Sequence, residues 1–370
     1  MRKSEAQTRH FLATLAGLIP AMQSRAVALD AETAFPTEDI AILTSLGAFT
    51  APLPTALGGL GLGTEFHGAR PLMDLLRLLG RANLSLGRLI EAHINAIRLI
   101  THYGTPAQAQ DAAEAARAGH LFALWVTDAP GEPPLTLTAR HTLEGAKAPC
   151  SGAGHATRAL VTAETPAGTV MLAVSPPPGA RASHEAWRTT GMRAAANGRM
   201  ELTGLTPGAP IGAPGDYLRQ PDFSAGAWRT SAVTLGGLEA LTAAFRAALA
   251  ARSRTENPHQ RARVGEALIA QETARLWIRR AAHCAENPDA DPGDTAAIVN
   301  LARIAAETAT LAAIQIVQRG LGMAAFREGT LTALLFRDLA IYLRQPAPDE
   351  TLTEAAAHFM QREMPEGLLF

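Results

Sequence analysis

The chain passes through two hydrophobic textures in the order first, second, first. Up to about residue 120, helix-like segments are interrupted by one proline- and glycine-rich stretch, APLPTALGGLGLG at residues 51–63, which predicts a helical N-terminal domain over 1–120. From Leu121 the apolar runs shorten to LFALWV, RALVTA, TVMLAV and RMELTGL, separated by clusters such as PGEPP and SPPPGA. Strands joined by turns follow, and with them a small β-domain over 121–225. Over 226–370 the chain returns to long alanine-rich segments. Leu235, Leu238, Thr242, Phe245 and Leu249 recur at helical spacing, and so do Ile298, Leu301, Ala305, Ala309, Ala312 and Ile316. Asp294 is the expected N-cap of the second segment and Gly320 its stop. The turn-rich connector NPDADPGD at residues 287–294 lets these helices fold back as an antiparallel bundle. The predicted class is α+β, in three parts.

Composition narrows the function classes. The 370 residues carry 33 Lys and Arg against 34 Asp and Glu, so neither a global field nor a run of like charge attracts nucleic acid. The opening segment is interrupted by polar residues before a signal-like apolar run develops. No stretch reads as the roughly 20 apolar residues of a membrane span. Cys150 and Cys284 are too few for a disulfide framework and lack metal-ligand neighbours, which points to a reducing cytoplasm.

Specific motifs then appear in a telling order. FPTEDIAILTSLGAFTAPLPTALGGLGLGTE from Phe35 leads a helix into a proline loop and a GG-x-G turn, and LGRANLSLGRLIEAHINAIRLITHYGTPAQ from Leu79 ends in G-T-x-x-Q. LEGAKAPCSGAGHATRALVTAE from Leu143 opens on a G-x-K turn, TTGMRAAANGRMELTGLTP holds a G-M-R segment, and QRGLGMAAF and FRDLAIYL close the series. In this order the motifs resemble the acyl-CoA dehydrogenase family over nearly the whole chain. The resemblance implies FAD as cofactor, a homodimer or homotetramer in which a neighbouring subunit helps hold the FAD tail, an acyl-CoA or related small-molecule substrate, and an electron-transfer flavoprotein as acceptor.

Residue by residue, the resemblance places Thr127 of FALWVTDAPGE at a flavin contact, with Asp128 where the family has Glu. A hydroxyl there can donate to a ring carbonyl, although Thr127 also suits an ordinary strand end. Ser151 falls where a hydroxyl backs the flavin, or simply begins the CSGAG turn, and Pro149 stands where the family has Trp. Arg254 matches the pyrophosphate-binding arginine without its R-x-x-F-G continuation, so a solvated loop is the other reading. Gln318, Gly320 and Gly322 resemble the turn that cradles the nucleotide, or form a helix C-cap.

Dehydrogenation needs a carboxylate to take the α-proton. About two turns after Arg337-Asp338, where the family has that base, this chain has Pro346. Asp349 and Glu350 follow, and Glu350, which precedes Thr351, is the candidate base if not an exposed residue starting the last helix. The alternative position, early in the first bundle helix, holds Arg229. Glu239 reads as part of a solvated face, and His155, His259 and His358 have no evident partner. Three functions fit: an FAD-dependent dehydrogenase, a flavin monooxygenase that needs no such base, or an inactive member serving as a subunit or binding protein.

Overall fold

The computed structural model describes residues 2–366. Five helices come first: α1 (Arg2–Glu32), α2 (Thr37–Leu46), α3 (Ala69–Ala82), α4 (Leu84–Tyr103) and α5 (Pro106–Arg117). Asn83 ends α3 and caps α4, its side chain accepting from the Ser85 and Leu86 amides at 2.9 and 3.4 Å. Thr105 and Gln108 form a reciprocal capping box on α5, with Pro106 at its first position.

Eight strands follow: β1 (Phe122–Trp125), β2 (Thr136–Leu137), β3 (Leu143–Glu144), β4 (Ala146–Cys150), β5 (Arg158–Thr165), β6 (Gly168–Val174), β7 (Ala182–Ser183) and β8 (Gly198–Glu201). β5 organises one sheet, pairing antiparallel with β6 along its length and parallel with β1 and the end of β2. β4, β8 and β7 form the second sheet. Trp125, Leu143, Cys150, Val161, Leu172 and Met200 pack together in a core of their own.

The remaining helices are α6 (Asp222–Ala250), α7 (Pro258–Glu286), α8 (Pro292–Leu321), α9 (Leu331–Tyr342) and α10 (Pro348–Met360). The face predicted on α6 is buried as expected. On α8 the phase differs by about one residue, because Val299, Ala302, Ala306, Ala309, Ala313 and Val317 form the buried stripe while Ala312 is exposed. In an alanine-rich helix the hydrophobic contrast between faces is too small to fix which side turns inward. The N-cap is Asp291, which accepts from the Asp294 amide at 2.8 Å, not Asp294 itself. The stop is Gly322, in a positive-φ conformation, not Gly320. Arg337 and Asp338 lie well inside α9, whose start is capped by Thr330.

Three helical stretches, Glu5–Glu32, Asp222–Ala250 and Pro292–Phe326, have the length and composition to cross a membrane, contrary to the sequence expectation. Their alanines raise mean hydropathy without making a long unbroken apolar run. In this fold α6 is instead enclosed by α3, α4, α7, α8 and α9. Its contact with α3 is backbone against backbone. A Cβ on Gly80 would lie 2.0 Å from the Val233 carbonyl oxygen, and one on Gly236 would lie 2.0 Å from that of Arg77. One core therefore runs continuously from the N-terminal helices into the bundle.

The β-domain is locked to this body at a corner built from two of the sequence motifs. The Asp338 carboxylate accepts from the Met192 amide at 2.6 Å, and Gly191 packs so closely on α9 that a Cβ would meet the Arg337 carbonyl oxygen at 2.2 Å. Arg337 pairs with Asp30 at the end of α1, and Arg193 reaches Thr33. Burial of Asp338 raises its pKa to about 7, against the opposing effect of the Met192 N–H.

Two predictions follow from this packing. Gly236→Ala destabilises the protein by at least about 3 kcal/mol, the upper end of overpacking, whereas Gly17→Ala, on an open helix face, stabilises it by roughly 0.5–1 kcal/mol. Urea unfolding of both variants checks the opposite signs. The folded protein keeps a proton on Asp338 that the unfolded chain releases near pH 4. Its stability relative to Asp338→Asn therefore falls as pH rises from about 4 to about 7, by at most about 1.4 kcal/mol per unit, and levels off above. Unfolding midpoints of the two proteins across that range measure it.

Candidate functional site

Thr127 and Ser151 are brought together at one edge of the β-domain. Buried Lys147 sets the spacing between their strands, its Nζ donating to Asp128 Oδ1 at 2.5 Å, Thr162 Oγ1 at 3.1 Å and the Val126 carbonyl at 3.1 Å. The Ala148 amide donates to the Thr127 carbonyl at 3.1 Å, and Trp125 Nε1 to the Ser151 carbonyl at 3.0 Å. Asp128 also accepts from the Leu135 amide, so it is tied into the domain on both sides. Thr127 is exposed and its hydroxyl has no hydrogen-bond partner among the described residues. Pro149 is half-buried. Burial pushes the Cys150 thiol pKa up, which removes it as a redox group.

Ser151 faces α4. Its hydroxyl donates to Asn197 Oδ1 at 2.9 Å and accepts from Arg88 Nε at 3.2 Å. Arg88 Nη1 donates in turn to Glu91, a buried carboxylate that also accepts from Asn95 Nδ2 at 2.5 Å and Thr230 Oγ1 at 3.4 Å. Asn95 passes the network on to Arg229 Nη1 at 3.0 Å. Arg229 and Trp228 Nε1 both donate to Glu286 Oε1, while Arg98 Nη1 donates to Glu286 Oε2 at 2.8 Å and to the Gly63 carbonyl at 2.8 Å. Arg98 also pairs with Asp222, which accepts from the Tyr103 hydroxyl at 2.7 Å. Three guanidinium groups and three carboxylates thus run from the edge of the β-domain between α4, α6 and α7. Burial, with the Arg98 charge nearby, lowers the Arg229 pKa, and Glu286 opposes that shift. The Tyr342 hydroxyl is buried beside Thr230, and burial raises its pKa.

Sequence reasoning missed most of this network. Its signal was present: Arg88, Glu91, Asn95 and Arg98 stand at intervals of three, four and three on an otherwise apolar helix, a polar stripe aimed at the interior. His93, on the same helix, is a structural group. Its Nε2 lies 2.9 Å from the Phe49 carbonyl and its Nδ1 accepts from the Phe122 amide at 3.1 Å, and burial lowers its pKa to about 4.

The other proposed groups lie elsewhere. Glu350 and Asp349 are exposed in the first turn of α10, which packs on α8. Arg303 of α8 holds this end through Thr351 and the Pro346 carbonyl. Glu239 is buried between Arg77 and Arg275, not solvated, because α3 and α7 close over its face. His358 does have a partner, Asp294, at 2.7 Å from Nε2. His155 stacks on Phe35 with ring centroids 3.9 Å apart, and His259 is exposed.

At the far end of the bundle a cleft of about 570 Å³ is lined by Arg246, exposed Arg254, Gln260 and Arg261. Gln260 is buried. Its Nε2 donates to the Gly320 carbonyl at 3.1 Å, while its Oε1 has no partner among the described residues. A Cβ on Gly320 would meet the Phe245 ring at 2.5 Å, so helix packing demands this glycine. Gln318 is half-buried in the last turn of α8, and exposed Gly322 caps it.

Removing Arg229 leaves Glu286 buried with one cation fewer. Arg229→Met is expected to cost about 3–5 kcal/mol, and much of that loss returns in Arg229→Met/Glu286→Gln. Chemical denaturation of the single and double variants decides it.

Comparison with known proteins places this geometry. The family profile described as acyl-CoA dehydrogenase, N-terminal domain, matches residues 5–119. No curated protein sequence matches the chain. Among solved structures, butyryl-CoA dehydrogenase from Megasphaera elsdenii superposes with a TM-score of 0.83 at 16% identity, covering 96% of this chain and 98% of that one. Methanesulfinate monooxygenase MsuC from Pseudomonas fluorescens gives 0.79 at 19% identity, with 96% and 98% covered. FMN-bound TdsC from Paenibacillus sp. A11-2 gives 0.78 at 19%, with 97% and 99% covered. At such identities the structural likeness speaks for the fold alone. Residues 5–119 thus match the N-terminal domain of the acyl-CoA dehydrogenase family, and the whole chain has the fold of the acyl-CoA dehydrogenases.

Proposed function

We propose that the protein is a flavin-dependent oxidoreductase of the monooxygenase type, acting on a small polar molecule and not by abstracting the α-proton of an acyl-CoA. The observation that carries this reading is the condition of Glu91. It is the carboxylate that the network places next to Ser151, and its oxygens are engaged by Arg88, Asn95 and Thr230. A carboxylate held this way neutralises and aims a guanidinium; it does not offer a free base. Glu350, the alternative base, is exposed on α10. Oxygen insertion requires no carboxylate at that place.

The residues suit a flavin nucleotide. The unpartnered Thr127 hydroxyl and Ser151 would meet its ring, and Arg254 with the orphaned Gln260 Oε1 would meet the polar tail of FAD. When bound in reduced form, the flavin would supply the electrons that activate oxygen. The two clusters lie too far apart to serve one cofactor on one chain, since α6 runs on for about 32 Å from Arg229 to Ala250 at 1.5 Å per residue. The tail cluster would therefore serve the cofactor of a second copy, in a homodimer or homotetramer. Exposed Leu268, Ile269 and Leu276 on α7 offer an apolar surface for that contact. Two cysteines without a disulfide fit a cytoplasmic location.

The shared fold with butyryl-CoA dehydrogenase favours a second reading, FAD-dependent dehydrogenation of an acyl-CoA with an electron-transfer flavoprotein as acceptor. It needs Arg88 to release Glu91. A binding subunit without activity is the third.

Visible spectra after reconstitution with FAD and with FMN, followed by anaerobic acyl-CoA addition, separate the three. The proposal expects a flavin band that acyl-CoAs leave unbleached and that an external reductant bleaches, with oxygen restoring it. Bleaching by an acyl-CoA would establish the second reading, and no flavin uptake the third. Light scattering on the same samples reads the oligomeric state.

A further inference from the structure

Arg88 is surrounded by protein, yet 30% of its side chain remains open to solvent beside Ser151. Two of its three nitrogens are committed, Nε to Ser151 and Nη1 to Glu91. Nη2 has no partner among the described residues. The planar group cannot turn to solvent without breaking both bonds, so its third donor keeps a fixed direction. Tyr217 lies close enough to act electrostatically on Arg88, and stacks edge-on with the half-exposed ring of Phe223 at 5.8 Å. A fixed, charged donor thus stands next to the hydroxyl that would back the flavin, partly open to solvent.

We infer that Arg88 is the residue that selects the substrate, and that the substrate is a small organic oxyanion, a carboxylate or sulfinate. This rests on the flavin reading above for its place beside the cofactor. The oxyanion would accept from Nη2. Glu91 would act as the positioning residue: it keeps Arg88 aimed and cancels enough charge to hold it inside the protein, while leaving a donor to spare.

The probes are benzoate, benzenesulfinate and the neutral isostere benzamide, titrated calorimetrically into the flavin-reconstituted protein at 0.15 M salt. At least one anion is expected to bind 10-fold or more tightly than benzamide, and which anion binds tells carboxylate from sulfinate. Arg88→Met should abolish that preference. Because it leaves Glu91 buried and unpaired, Arg88→Met/Glu91→Gln, which removes the ion pair as a unit, repeats the test in a fold verified by circular dichroism. Equal binding of anions and benzamide to the native protein, no binding of any probe, or an unchanged anion preference in the double variant each overturns the assignment. If the protein takes up no flavin, the proposed function fails by itself; the same titrations on the flavin-free protein still decide what Arg88 recognises.

Discussion

Glu286, at the last turn of α7, accepts from Trp228, Arg229 and Arg98, and so joins the first and second bundle helices to α4 of the N-terminal domain. A carboxylate this deeply buried is tolerable only when cations and donors surround it. Meeting that requirement fixes the rotation of three helices about their axes. Arg98 carries the constraint outward to Gly63 and Asp222, and Arg229 carries it inward to Asn95 and Glu91. The glycine contact between α3 and α6 adds a backbone-to-backbone seam that holds α6 against the N-terminal helices.

The surroundings of Ser151 inherit their chemistry from this network. A charged, hydrogen-bonded interior beside Ser151 makes poor accommodation for a hydrocarbon chain, since each polar group would lose its partners or be covered by groups that offer none. It suits a ligand that brings its own acceptors. One fold can therefore host different chemistries, decided by the side chains that line its site.

The middle domain is held by the same kind of contact. Asp128 spans Lys147 and the Leu135 amide. The strands still hold Thr127 and Ser151 in place, because their spacing is set by Lys147 and by backbone hydrogen bonds that do not depend on the neighbouring side chains. Gly191, Met192, Arg337 and Asp338 show the same economy: motifs far apart in the chain meet at one corner and dock two domains.

By itself the sequence determined the order of helices, strands and helices, the apolar face of α6 and the resemblance carried by glycines, prolines and the Arg-Asp pair. These features are local or periodic, and residue type reports them directly. The phase of α8 was not legible, because alanine on every face erases the contrast that marks an inward side. Nor was the burial of Glu239 or the pairing of His358, since a charged residue looks solvated until another helix closes over it. The polar stripe of α4 could be counted, but its meaning could not. Only the tertiary structure brought it against Ser151, Arg229 and Glu286, and hydrogen bonding between elements nearly 200 residues apart decides whether a carboxylate acts as a base or as the counterion of an arginine.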